Sequence, residues 1–141
     1  MIVNDLRTYL QQHRIAVLAT VNDQGAPEAA LVGVAVTDDL DLVFDTLAAT
    51  RKHANLRRRR HTAVVFSGPG ECTVQYEGEA SILDPEAAAS APYLAAYYAA
   101  WPDGRARAAW PGLVYWRVRP RWARYADYAS GPLIVEFDLR T

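Results

Sequence analysis

The chain has 141 residues, 51% of them apolar and 22% charged, with a net charge of −1. That is the length of one domain, 1–141, with enough apolar content for a core, and no apolar run is long enough to cross a bilayer as a helix. The single cysteine, Cys72, excludes an internal disulfide and a cysteine-cluster metal site, and on a strand it reads as a small buried hydrophobe.

The first residues, MIVNDLRTYLQQHR, lack a basic start followed by an apolar block. No signal peptide is read there, and the expected location is the cytoplasm. Asn4 is placed to cap a first helix carrying Leu6, Tyr9 and Leu10 on one stripe. Ile15 to Val21 is β-branched and apolar, a buried strand. NDQG at 22–25 is a turn, and Pro27 to Val36 reads as a second strand. Gly33 inside it weakens the strand and marks either a bend or the close approach of something flat or bulky. Asp38-Asp39 makes the next turn, and Leu40 to Asp45 a third strand.

Thr50 then offers a hydroxyl cap to a helix running to Arg60, with Arg51 and Lys52 in its first turn, where the helix dipole disfavours positive charge. His61 to Phe66 is a fourth strand, SGPGE at 67–71 a loop, and Cys72 to Leu83 a fifth strand. The alternation in that strand sets Thr73, Gln75 and Glu77 against Val74 and Tyr76. Asp84 and Pro85 open a third, alanine-rich helix, with Pro92 as an internal kink and Tyr93, Tyr97 and Trp101 as a core or interface stripe. After a short turn of helix over Arg105 to Trp110, three strands are expected: Leu113 to Arg119, Trp122 to Tyr128 and Leu133 to Leu139. About eight closely spaced strands with few helices argue for a small β-barrel.

Charge is unevenly spread. Residues 51–60 hold six of the fifteen basic side chains, and the remainder sets nine bases against sixteen acids. Lys52 is the only lysine, and no acid occurs between Asp45 and Glu71 to neutralise the segment locally. A helix start with a hydroxyl and two cations suits a phosphate, although a solvated basic face explains the same residues. A globally acidic chain with one basic patch suits a small anion better than a nucleic acid. The run Arg57–Arg60 is read as a solvated helix end, since arginines there suit the dipole.

No G-x-G-x-x-G, Walker or G-x-S-x-G pattern is present, and His13, His53 and His61 lack metal-ligand spacing, so no metal site is assigned. A phosphate site without an evident nucleophile or base favours a cofactor that carries the chemistry. Flavin mononucleotide (FMN) suits it, with one terminal phosphate for Thr50, Arg51 and Lys52 and a flat ring to lie along the strand near Gly33.

The succession LATVNDQGAPEAALVGV, DLDLVFDTLAATRKHANLRRRRHTAVVF and TVQYEGEASI resembles the pyridoxamine 5′-phosphate oxidase-like family of FMN-binding split β-barrels. The resemblance implies a mainly β split barrel of six or more antiparallel strands with a few short helices. It implies a homodimer with two cofactor sites at the subunit interface. Thr50, Arg51 and Lys52 would hold the phosphate with Thr46 nearby, Leu31, Val32, Gly33 and Val34 would lie against the flavin ring, and Thr73 and Gln75 would reach the site from the fifth strand. The implied activity is that of an oxidoreductase exchanging a hydride between flavin N5 and a small-molecule substrate or NAD(P)H. An F420-dependent reductase and a non-catalytic flavin-binding or sensing protein are the alternatives. The oxidase itself carries a second-strand arginine where this chain has Ala29-Ala30, and a C-terminal arginine-histidine motif that is missing here. Vitamin B6 oxidation is therefore not the expected activity.

Overall fold

A computed structural model describes residues 1–141. Eight strands form one antiparallel sheet: β1 (Ile15–Val21), β2 (Pro27–Gly33), β3 (Ala35–Val36), β4 (Leu42–Leu47), β5 (His61–Ser67), β6 (Cys72–Leu83), β7 (Leu113–Asp127) and β8 (Leu133–Asp138). Their order is β2-β1-β5-β6-β7-β4-β3, with β8 added to β7. The two ends of that order, β2 and β3, are consecutive in the chain and joined by Val34 alone. One intervening residue spans about 7 Å at most, so the sheet must curl until its edges meet. That curls the sheet into a split barrel, in which β2 and β3 are not themselves paired.

The expected second strand is thus two strands, broken where Val34 turns inward at 1% exposure and its amide bonds the Arg14 carbonyl at 2.8 Å. The third strand starts later than expected, at Leu42, because Leu40 takes a left-handed φ of 69° in the turn. The buried Tyr76 hydroxyl, 2.8 Å from the Leu40 carbonyl, holds that conformation.

The last third departs most from expectation. Two of the three expected strands are one, β7, which runs straight through Pro120. A proline in a strand leaves a ladder position without a donor and is tolerated at bulges and open edges. Both conditions hold here. The β6–β7 register slips between Glu77 and Gly78, opposite Pro120. On the other edge, β4 pairs only as far as Val118 and β8 begins at Trp122.

Four helices decorate the barrel: α1 (Val3–Gln12), α2 (Arg51–Arg58), α3 (Ala91–Ala100) and α4 (Gly104–Arg107). α1 inserts Leu6 and Leu10 into the core at 0% exposure. Its cap position is Ile2, whose amide is held by Asp5. Asn4 lies inside the helix and accepts from Arg7 instead. α3 begins well after Asp84, which only closes a turn onto the Glu86 amide. Pro92 therefore falls in its first turn, where no intrahelical partner is lost, and kinks nothing. Tyr97 and Leu94 of α3 pack with Val43, Leu83 and Tyr115 in a small second core.

Candidate functional site

The turn after β4 brings α2 back over one end of the barrel, beside the β1–β2 hairpin. The buried face of α2 fixes it there. Leu56 is fully buried, Asn55 donates to Thr20 Oγ1 at 3.0 Å, and Trp116 Nε1 donates to His53 Nδ1 at 3.0 Å. Burial, with the Arg57 charge adding to it, lowers the His53 pKa, so the ring stays neutral as an acceptor.

Between the start of α2 and the hairpin lies an open cleft of about 520 Å³ lined by Thr20, Glu28, Ala29, Ala30, Thr50, Arg51 and Lys52. That volume is within the range of small-molecule sites. Three residues singled out from the sequence, Thr50, Arg51 and Lys52, meet there. Thr46 supports them from β4, its hydroxyl 3.0 Å from that of Thr50. Thr50 stands at the cap position, but its hydroxyl does not cap. It donates to the Leu47 carbonyl at 2.9 Å, so the first-turn amides of α2 receive no side-chain partner from it.

The absence of acids along 46–70 does not leave the cations unopposed. Glu28 reaches across from β2 and pairs with Arg51 at 3.2 Å. Hydrogen bonds from Asn55 first and Asn22 next, with the Arg51 charge, hold its carboxyl below the usual range against a smaller effect of burial. Arg51 remains 87% exposed at its side chain.

The other singled-out residues lie elsewhere. Val32 and Val34 point into the core at 7% and 1% exposure. Gly33 does meet a flat group, as its place in the strand suggested, but that group belongs to this chain. A Cβ there would stand 2.8 Å from the Trp101 ring, and the Trp101 indole donates to the Val34 carbonyl. Leu31, 71% exposed, faces outward. Gln75 shares that outer face, in the row Leu31, Val17, Val65, Gln75 set by the strand register. Three strand spacings, about 14 Å, separate Gln75 from Leu31, and Thr73 sits one step further along β6. Within one chain neither lines the cleft. The arginines at 57–60 are all exposed.

Sequence reasoning missed Thr20, Glu28, Asn22 and Asn55. The available signal was the alternation in PEAALVG. Glu28, Ala30 and Val32 share one face, but the small alanines blur the pattern.

The sequence profile of the family described as pyridoxamine 5′-phosphate oxidase matches residues 2–127. No curated protein matches the chain. Among solved structures, a heme binding protein from Mycobacterium smegmatis superposes with TM-score 0.82 at 18% identity. The match covers 94% of this chain and 56% of that one, so this chain spans little more than half of that protein. A heme storage protein from Vibrio cholerae gives TM-score 0.72 at 13% identity, covering 83% of this chain and 88% of that one. A pyridoxamine 5′-phosphate oxidase-related, FMN binding protein from Nostoc punctiforme gives 0.66 at 13% identity, with 91% and 87% covered. At these identities the likeness is one of fold.

Proposed function

The chain belongs to the pyridoxamine 5′-phosphate oxidase family, and from that premise we propose that it is an FMN-binding oxidoreductase. The observation that carries the reading is the cleft in which Thr50, Arg51 and Lys52 converge beside Thr20. Its donor set suits a phosphate monoester: a guanidinium for two-point contact, an ammonium, the Thr20 hydroxyl, and helix amides left free at the start of α2.

Bound there, FMN supplies two-electron redox chemistry that no side chain of the cleft offers. The protein's own residues do the rest. Arg51 and Lys52 neutralise the phosphate, Thr46 and Thr50 fix the turn that presents them, and Ala29 and Ala30 leave the strand wall open to a flat group.

A homodimer goes with this reading. The outer face of β2, β1 and β5 is largely apolar: Ile15 is 59% exposed, Leu31 71% and Val65 39%, with Ala19 paired to both Ala29 and Ala63. Such a face on a soluble chain favours protein contact. Ala29 belongs both to it and to the cleft, so a second copy docked there adds a wall to the site and brings its own Thr73 and Gln75 within range.

The test is an absorbance spectrum of the purified protein, followed by titration with FMN, F420 and haem, then anaerobic reduction with NADH and NADPH. A flavin spectrum, or micromolar uptake of FMN, supports the proposal. A Soret band, or preference for F420, replaces it with another cofactor on the same fold. Arg51→Ala with Lys52→Ala should weaken FMN binding by at least about a hundredfold, since hydrogen bonds to charged groups contribute about 1.5–3 kcal/mol each. The melting temperature should hold, because Arg51 is exposed and its one ion pair is of the weak surface kind.

A further inference from the structure

Arg124, on β7, is half-buried, and its Nε has no hydrogen-bond partner. Arg117 shares that feature, but the Asp41 carboxylate lies 3.4 Å from it and its guanidinium covers the Tyr93 ring at 4.4 Å. Arg124 has neither kind of neighbour. No ion pair or ring contact of the chain includes it, although Glu136 stands opposite it on β8. A cation drawn out of water without a partner is costly, so the missing partner is sought outside the chain.

Register places Arg124 at the end of the outer row Leu31, Val17, Val65, Gln75, Arg124. Measured along the sheet it stands four strand spacings, about 19 Å, from Leu31, too far to serve the cleft of its own chain. That cleft has an open side. Ala29 and Ala30 both line it, and successive strand residues point to opposite faces, so it runs along an edge of β2. β1 covers one edge of that strand, and no strand pairs the other.

The second copy proposed above is set on the outer face by apolar side chains. A twofold axis along β1 matches them: Leu31 of one copy faces Val65 of the other, Ala29 faces Ala63, and Ala19 faces Ala19. β6 of the second copy then lies one strand spacing past the unpaired edge of β2, and its β7 two, about 5 and 10 Å. The orphan guanidinium is carried over the open side of the cleft.

We infer that Arg124 acts in the cleft of the opposite subunit, as a third cation on a ligand whose phosphate Arg51 and Lys52 hold. With the phosphate taken, the guanidinium meets the flat end of the ligand, where a ring carbonyl accepts from it and its charge favours an electron-rich ring. The inference rests on the cofactor reading and the homodimer above. It adds the side chain whose charge makes one subunit's site depend on the other.

The experiment mixes two variants of the full chain, each defective in a different part of the site, and reads FMN affinity by flavin fluorescence. Arg124→Gln should weaken FMN binding by about tenfold or more, the scale of one hydrogen bond to a charged group. Its melting temperature should hold, because no contact within the chain is lost. Arg51→Ala with Lys52→Ala loses FMN as above. Dissociated, mixed one to one and reassembled, the two variants form heterodimers with one whole cleft each, so about a quarter of all clefts should regain wild-type affinity. No recovery, or wild-type affinity in Arg124→Gln alone, overturns the inference. Should Arg124→Gln fail to fold, Arg124→Lys, which keeps the stem and the charge but not the fork of donors, takes its place in the mixture.

The failures are distinguishable. A dimer that holds FMN, loses it in the Arg51/Lys52 double variant and shows no recovery on mixing removes this inference alone. A wild type that takes up FMN as a monomer removes the homodimer and this inference, and leaves the cofactor reading. A wild type that takes up no flavin removes the cofactor reading and this inference with it.

Discussion

Gly33 and Trp101 illustrate how one residue's absence of a side chain is used. The indole lies where a Cβ would be, 2.8 Å away at its nearest atom, and Arg14 covers the ring at 5.6 Å while bonding the Ala100 carbonyl. Gly33→Ala should therefore cost about 1–3 kcal/mol through overpacking, seen as a lower denaturation midpoint. Trp101→Ala in the same background should recover part of the penalty specific to the alanine. His53 makes a different prediction. Its folded pKa is depressed by burial, so below about pH 6.5 the unfolded chain takes up a proton that the folded chain refuses. Stability should fall with pH from there, levelling only below the depressed folded value. His53→Gln, which keeps an acceptor for Trp116, should flatten that slope in denaturant titrations at pH 5, 6 and 7.

At the scale of elements, Gly78 and Pro120 mark where β6 and β7 slip past each other. A Cβ at Gly78 would stand 2.4 Å from the Arg119 carbonyl oxygen, a backbone atom that cannot rotate away. Gly78→Ala should destabilise by about 1–3 kcal/mol or more, measured by thermal melting. The hairpin β1–β2, strands β5 and β6, and the α2 turn were legible because each has a local signal: NDQG, strict alternation, or Thr50 with its two cations. β7 was not, because a proline argues for a break unless the partners on both edges are known, and those lie far away in sequence. The cleft was half legible for the same reason. Arg51 and Lys52 announce themselves within one turn of helix, whereas Glu28 opposes them only through tertiary contact across 23 residues.

For the molecule as a whole, the outer apolar face makes the proposed homodimer testable. Leu31→Glu removes no core contact, since that side chain is 71% exposed. It should leave the melting temperature of the monomer unchanged and convert a dimer to a monomer in sedimentation, with weaker FMN binding as the missing wall is lost. The sheet's path carries a last implication. β7 is the common neighbour of β6, β4 and β8, so the earlier strands cannot complete their ladder until residues 113–127 are available. On the ribosome, the nascent residues before 113 must wait as an unclosed, sticky sheet, which makes β7 the late and rate-setting piece of synthesis-coupled folding. Ribosome-stalled chains halted before residue 113 should then recruit holdase chaperones, and those halted well past residue 127 should shed them.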